Sequence, residues 1–283
     1  MRPRRILAAL LACACLAAPA HAASTRVAAL QVGLRARGLY AGAVDGIAGP
    51  GTIAGLRAFQ RRKGLVVDGV LGPRTRRALG RLGRHFLGSR PLRAGMVGWD
   101  VAQLQFEIES HGFPLGHVDG GFGAHTDIAL RGFQAWAGLG VDGVAGPATL
   151  RALRGPPARA PYGLSRPILA PLGDPYGPRG DGWHPGLDFP APRGTSVRAA
   201  ASGTVIEAGW NDGYGKDVVL RNAGGVETRY AHLSRILVRP GQFVAVGQRV
   251  GRVGATGFAT GPHLHFEVIV RGARVDPAPA LGL

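Results

Sequence analysis

Apolar positions in the first half of the chain recur at helical spacing and are cut by glycines. In the last third they fall in short β-prone runs. Val27, Leu30 and Leu34 mark one face of a helix from about Thr25 to Arg37, with Gly38 as its left-handed stop. A second helix is expected near Thr52, read as its N-cap, with Ile53, Leu56 and Phe59 on one face and a stop at Gly64. A third begins at Pro73, a favourable first helical residue, and ends at Leu79-Gly80. Asp45-Gly46 and Asp68-Gly69 supply the turns between them.

The same pattern returns. Residues 27–79 align with 101–153 without a gap, and about half of the aligned positions are identical. Val27-Ala-Ala-Leu-Gln31 matches Val101-Ala-Gln-Leu-Gln105, and Val67-Asp-Gly-Val-Leu-Gly-Pro73 matches Val141-Asp-Gly-Val-Ala-Gly-Pro147. A unit this small is marginal alone and needs a neighbour or ligand to hold it. Beyond the proline-rich stretch with Pro156, Pro157, Pro161 and Pro167, a semi-stiff spacer, strands take over. Thr204-Val-Ile-Glu207, Asp217-Val-Val-Leu-Arg221, Val226-Glu-Thr-Arg-Tyr230, Phe243-Val-Ala-Val246, Arg249-Val-Gly-Arg-Val253 and His263-Leu-His-Phe-Glu-Val-Ile-Val270 read as a small, mostly antiparallel β domain. Asn222-Ala-Gly-Gly225 is a hairpin turn inside it.

Composition supports this division. The 283 residues carry 47 glycines and 21 prolines, which favours short elements, and 46% hydrophobic content gives enough material for a core. Arg2, Arg4 and Arg5, the apolar run Ile6–Ala18 and the small residues of Ala20-His21-Ala22 read as a signal peptide over residues 1–22. Both cysteines, Cys13 and Cys15, fall inside it, so the processed chain would have no thiol. Leu10-Leu-Ala-Cys13 also resembles a lipoprotein box, which leaves a lipid anchor at Cys13 as the lesser alternative. The net charge of +17 suits an anionic surface such as a bacterial wall. The arginines are scattered, with only Lys63 and Lys216 as lysines, and there is no dense basic run of the kind that marks nucleic-acid binding.

Candidate chemistry is concentrated near the C-terminal end. His184-Pro-Gly-Leu-Asp188, His232, and His263-Leu-His265 bring four imidazoles and a carboxylate into the β half. Two imidazoles and one carboxylate can hold zinc with a position left for water, and two further histidines remain to move protons. On a strand, His263 and His265 point to one face and Leu264 to the other. Pro185 and Gly186 favour a turn after His184, with Asp188 entering the next strand and reaching the same point from there. His85, His111, His117 and His125 lie in the helical half. The last two sit near a repeat turn, with Ala43 and Gly51 as counterparts, and are not read as metal ligands.

Two resemblances sharpen this reading. Each repeat resembles the three-helix peptidoglycan-binding domain of bacteria, most specifically over Val67–Thr75 and Val141–Thr149. Residues 168–280 are similar to the lysostaphin/LytM-type zinc endopeptidases. The matching segments are Tyr176-Gly-Pro-Arg179, Trp183–Phe189, Tyr230-Ala-His-Leu-Ser234 and Gly257–Glu267. The resemblance implies zinc held by His184, Asp188 and His265, with His232 and His263 catalytic. One would take the water proton and pass it to the leaving amine, and the other would steady the oxyanion, in an order the sequence leaves open. Lys216 departs from the asparagine frequent in that family. Tyr176, Arg179 and Tyr214 are candidates for the groove wall.

The expected fold class is multidomain α+β: two small three-helix bundles followed by a mostly antiparallel β metallopeptidase domain. Expected boundaries are a signal peptide at 1–22, repeats at 23–82 and 97–154, connectors at 83–96 and 155–167, and the peptidase at 168–283. The expected function is an exported zinc endopeptidase cutting peptide cross-links of peptidoglycan, which is both its substrate and its anchor. The alternative is a non-catalytic wall scaffold or hydrolase activator. No nucleic-acid partner, membrane span or stable oligomer is expected.

Overall fold

In the computed structural model, residues 23–155, 160, 162–179 and 182–283 are described; the expected signal peptide lies outside them. The first repeat forms α1 (Thr25–Arg35), α2 (Pro50–Arg62) and α3 (Pro73–Ala78), followed by a 3-10 turn at Gly80–Gly83. The second forms α4 (Trp99–Ser110), α5 (Ala124–Trp136) and α6 (Pro147–Leu153). Helix α2 begins two residues before Thr52, at Pro50, with Gly49 as its N-cap. Thr52 is not a cap but a buried residue, because its hydroxyl is engaged elsewhere. It accepts from Gln31 Nε2 at 3.1 Å and donates to the Ile47 carbonyl.

That Gln31 contact belongs to a hub repeated four times. Gln31 Nε2 donates to Asp45 Oδ1 (2.7 Å), and its Oε1 accepts from the Gly46 amide (2.9 Å). Gln60 does the same with Asp68 and Gly69, Gln105 with Asp119 and Gly120, and Gln134 with Asp142 and Gly143. Each Asp-Gly turn is thus pinned by a buried glutamine from an earlier helix, and all four glycines have positive φ.

The repeats are not beads on a string. Every residue of α1 from Ala28 to Leu34 is buried, since the helix packs on its own repeat and on α4. Gln103 of α4 donates to Thr25 Oγ1 across that seam (3.2 Å). The stretch 83–96, expected as a connector, packs as well: Leu92 is buried and exchanges backbone hydrogen bonds with Ala145. One continuous set of buried residues runs from the repeats into the β half.

The β half begins with a pair of short strands, β1 (Gly177–Arg179) and β2 (Gly182–His184), followed by β3 (Leu187–Pro190) and β4 (Ser196–Arg198). Next come β5 (Gly203–Asn211), β6 (Gly215–Asn222), β7 (Val226–Ala231), β8 (Leu233–Ile236) and β9 (Phe243–Val244). The chain closes with β10 (Arg249–Val253), β11 (His263–Val270), β12 (Ala273–Val275) and a short α7 (Ala278–Leu281). The main antiparallel sheet runs β12-β11-β7-β6-β5-β9, with β3 also paired to β11; β4-β10-β8 form a smaller sheet. The β6–β7 turn is the expected hairpin at Ala223–Gly225. Leu264, Phe266 and Val268 on one face of β11 fill the core with Phe189 and Tyr230. Among the described residues no helix is long and apolar enough to cross a membrane.

Candidate metal centre

Strand register assembles the site. Antiparallel pairing of β3 with β11 sets Asp188 directly opposite His265 and Pro190 opposite His263. His184 ends β2, and the turn through Pro185 and Gly186 returns the chain so that its imidazole meets both. Gly186 lies too close to the Phe266 carbonyl for a Cβ, which would stand 2.4 Å from that oxygen. His184 Nε2 is 3.1 Å from Asp188 Oδ1 and 3.2 Å from His265 Nδ1, and His265 Nδ1 is 2.8 Å from Asp188 Oδ1. These three side chains form a group with metal-ligand chemistry among the described residues.

The outward hydrogen bonds of each imidazole fix its tautomer. A carbonyl oxygen only accepts, so His184 Nδ1, 2.7 Å from Pro175 O, carries the proton, and its Nε2 presents a lone pair. His265 Nε2 donates to Glu267 Oε1 at 3.1 Å, which leaves Nδ1 bare. With both rings neutral, two bare nitrogens and a carboxylate oxygen converge with no hydrogen between them; without a metal, burial opposes a charge on His265, but the carboxylates of Asp188 and Glu267 outweigh it, raise its pKa and favour a proton there. Such a set repels itself unless a cation sits among them. Their spacing matches the edge of about 3.3 Å expected between ligands about 2.0–2.1 Å from a tetrahedral zinc. The donor set therefore fits zinc.

The carboxylates are tuned for this. Burial is the largest single influence on Asp188 and opposes its charge. In the metal-free chain, protons that His184 and His265 take up on the nitrogens facing it outweigh burial and hold the carboxyl well below its usual range; a metal would stand in place of those protons. Glu267, fully buried, is likewise opposed by burial, but contacts with His265, Arg274 and Tyr214 keep it ionised. It accepts from Tyr214 Oη (2.7 Å) and Arg274 Nε (3.1 Å).

His232 and His263 flank the group, their rings 4.7 Å apart. His232 Nδ1 donates to Thr256 O (2.8 Å) and His263 Nδ1 to Gly261 O (2.8 Å), so both turn a bare Nε2 away from those anchors. His263 Nε2 lies 3.8 Å from Asp188 Oδ1. His232 sits at φ 59°, a left-handed conformation uncommon for histidine, at the corner between β7 and β8, where its amide donates to Tyr214 O. Burial, with help from the neighbouring histidines, lowers its pKa and favours the neutral ring.

All five expected site residues thus meet in one place. Of the weaker candidates, Arg179 borders the site through Asp188 Oδ2 (3.6 Å), and Tyr214 stands behind His265. Tyr176 does not line an open groove. It is buried, and its hydroxyl donates to the Arg274 carbonyl. Lys216 reaches the Ser234 carbonyl. Glu267, Thr256 and Pro175 were not anticipated. Glu267 had a signal, since it continues the two-residue period of His263 and His265; Thr256 and Pro175 act through carbonyls and leave none.

Residues 182–277 match Peptidase family M23, and residues 23–79 and 98–153 match the family described as "Putative peptidoglycan binding domain". The DD-carboxypeptidase/endopeptidase Mpg of Neisseria meningitidis serogroup B is 49% identical over 94 residues, 33% of this chain and 22% of that protein. Peptidoglycan DD-endopeptidase ShyA of Vibrio cholerae is 46% identical over 97 residues, 34% of this chain and 23% of that protein. The chain therefore spans under a quarter of the length of these relatives. The catalytic domain of the antimicrobial peptidase lysostaphin from Staphylococcus simulans is 39% identical, covering 40% of this chain and 93% of that one, with a TM-score of 0.39. The C-terminal β half of this chain is thus a Peptidase family M23 domain, with two copies of a peptidoglycan-binding domain ahead of it.

Proposed function

We propose that the chain is an exported, zinc-dependent DD-endopeptidase that hydrolyses peptide cross-links of peptidoglycan. The observation that carries the reading is the convergence of three metal-binding donor atoms from His184, Asp188 and His265, with two further imidazoles facing the same space. The DD-endopeptidase names of the relatives favour the D-alanyl cross-link over a glycine bridge.

His184, Asp188 and His265 would hold the metal. When bound, zinc supplies a Lewis acid for the attacking water and the scissile carbonyl. His232, whose burial favours the neutral ring, would accept the water proton through Nε2 and return it to the leaving amine. His263, once protonated at Nε2, would donate a hydrogen bond to the developing oxyanion. Thr256 and Gly261 orient the two rings through their carbonyls. Phe258, exposed on the loop between them and packed near Gly213, offers an apolar rim for the substrate peptide. The repeat region would keep the enzyme on its insoluble substrate, in the cell envelope or outside it.

Mass spectrometry of defined muropeptides tests this. Cross-linked dimers should give monomers cut at the D-alanyl bond, and chelation should stop the reaction. Release of sugar fragments, or no cleavage by metal-loaded protein, would refute it.

A further inference from the structure

The two repeats share a fold and its internal glutamine hubs but differ in what covers them. In the first repeat, a cleft of about 710 Å³ lies open between the loop after α1 and the start of α2, lined by Leu39, Tyr40, Ile47, Gly51 and Ala54. Gly51 and Ala54 are exposed. Adding 74 to these numbers gives the matching surface of the second repeat, and there the cleft is filled by the peptidase domain. A Cβ on Gly116 would stand 3.2 Å from Pro178 Cγ, and one on Gly177 would stand 3.2 Å from Pro114 Cγ. The Trp183 ring meets the His125 ring with centroids 5.4 Å apart. Helix α5 lies along β12, bringing Gly132 beside the Arg274 carbonyl.

Residue identity follows the same division. Exposed Arg61 and Arg62 of α2 become buried Ala135 and Trp136 on α5, while Gly51 becomes His125 and Ala54 becomes Ile128. Trp136 packs edge-on against Phe113 and Tyr162. The second repeat has exchanged a cationic open face for an apolar covered one. What fills its cleft is extended polypeptide from β1 and β2, the kind of ligand a wall peptide would present to the first cleft.

We propose that the second repeat is the dock of the peptidase domain, not a second wall anchor, so that only the first repeat offers an open wall-binding cleft. The proposal rests on the wall-binding reading above. It places the active site in a fixed relation to a single anchor, because β2, which carries His184, is part of the docked segment.

Co-sedimentation of the full chain with purified sacculi, paired with hydrogen exchange, tests it. Ala54→Trp and Gly51→Trp fill the open cleft at exposed positions, and thermal unfolding checks that both fold. Each should weaken sacculus binding by about tenfold or more. Ile128→Arg should speed amide exchange in α5 and β12 by undocking the domains, with sacculus binding no weaker than that of the wild type. Near wild-type binding by both folded tryptophan variants would overturn the proposal. So would a loss of binding in Ile128→Arg with exchange in β12 unchanged. If the wild-type chain itself fails to sediment, the wall-binding reading falls together with the single-anchor claim. The dock is then judged by exchange alone: slow β12 amides that Ile128→Arg accelerates uphold it, and amides it leaves unchanged overturn it.

Discussion

A hydrogen-bond acceptor behind each of the four imidazoles decides which ring nitrogen faces the cleft. Pro175, Thr256 and Gly261 act through their carbonyls and Glu267 through its side chain. His265→Ala removes a donor to the metal and should lose zinc and activity together. His263→Ala should keep zinc while turnover falls by about 10²–10⁴. Glu267→Ala should weaken zinc binding by about 10–100-fold, measured by competition with a chromogenic chelator, because an outer carboxylate orients its histidine. The same residue sets a pH dependence in the metal-free protein. Its folded pKa is depressed, so its contribution is present above the ordinary glutamate value of about 4.3 and is lost as pH falls through the lower folded value. Urea midpoints against pH should show a shallower acid limb in Glu267→Gln. His263 and His265 were legible from a strand period of two, and His184 and Asp188 from the short turn between them, whereas the role of His232 and the division of the five into metal ligands and proton carriers came from the family resemblance. Thr52 was misread because the capping rule is local, whereas its hydroxyl is claimed by Gln31 from another helix.

At the level of elements, two glycine loops hold the site. Gly215 (φ 65°) and Gly257 (φ 73°) press backbone to backbone, and a Cβ on Gly257 would stand 2.4 Å from Gly215 N. Their contact sets Thr256 O behind His232 and Tyr214 behind Glu267. Gly257→Ala should cost more than about 1 kcal/mol in thermal or urea unfolding and lower activity with it. The glutamine hubs make a similar demand on the repeats. Gln134→Ala would leave the Gly143 amide without its acceptor and should destabilise by about 1–3 kcal/mol. Longer strands such as β5, β6, β7 and β11 were readable from β-branched runs. The three-residue strands β1, β2, β4 and β12 were not, since they exist only through their partners.

On the scale of the whole molecule, the repeat was plain from the sequence, but its consequences were not. Identical hub residues hid the fact that α5 buries Ala135 and Trp136 where α2 exposes two arginines. Only the packed structure reveals which copy is covered. The account as a whole stands on the three-donor site, and metal content is its most direct test. Purified chain reconstituted with zinc and freed of excess should hold close to one zinc per molecule, as should His263→Ala, and His265→Ala should hold close to none. A wild-type chain without zinc, or a His265→Ala chain that keeps a full equivalent, would contradict it.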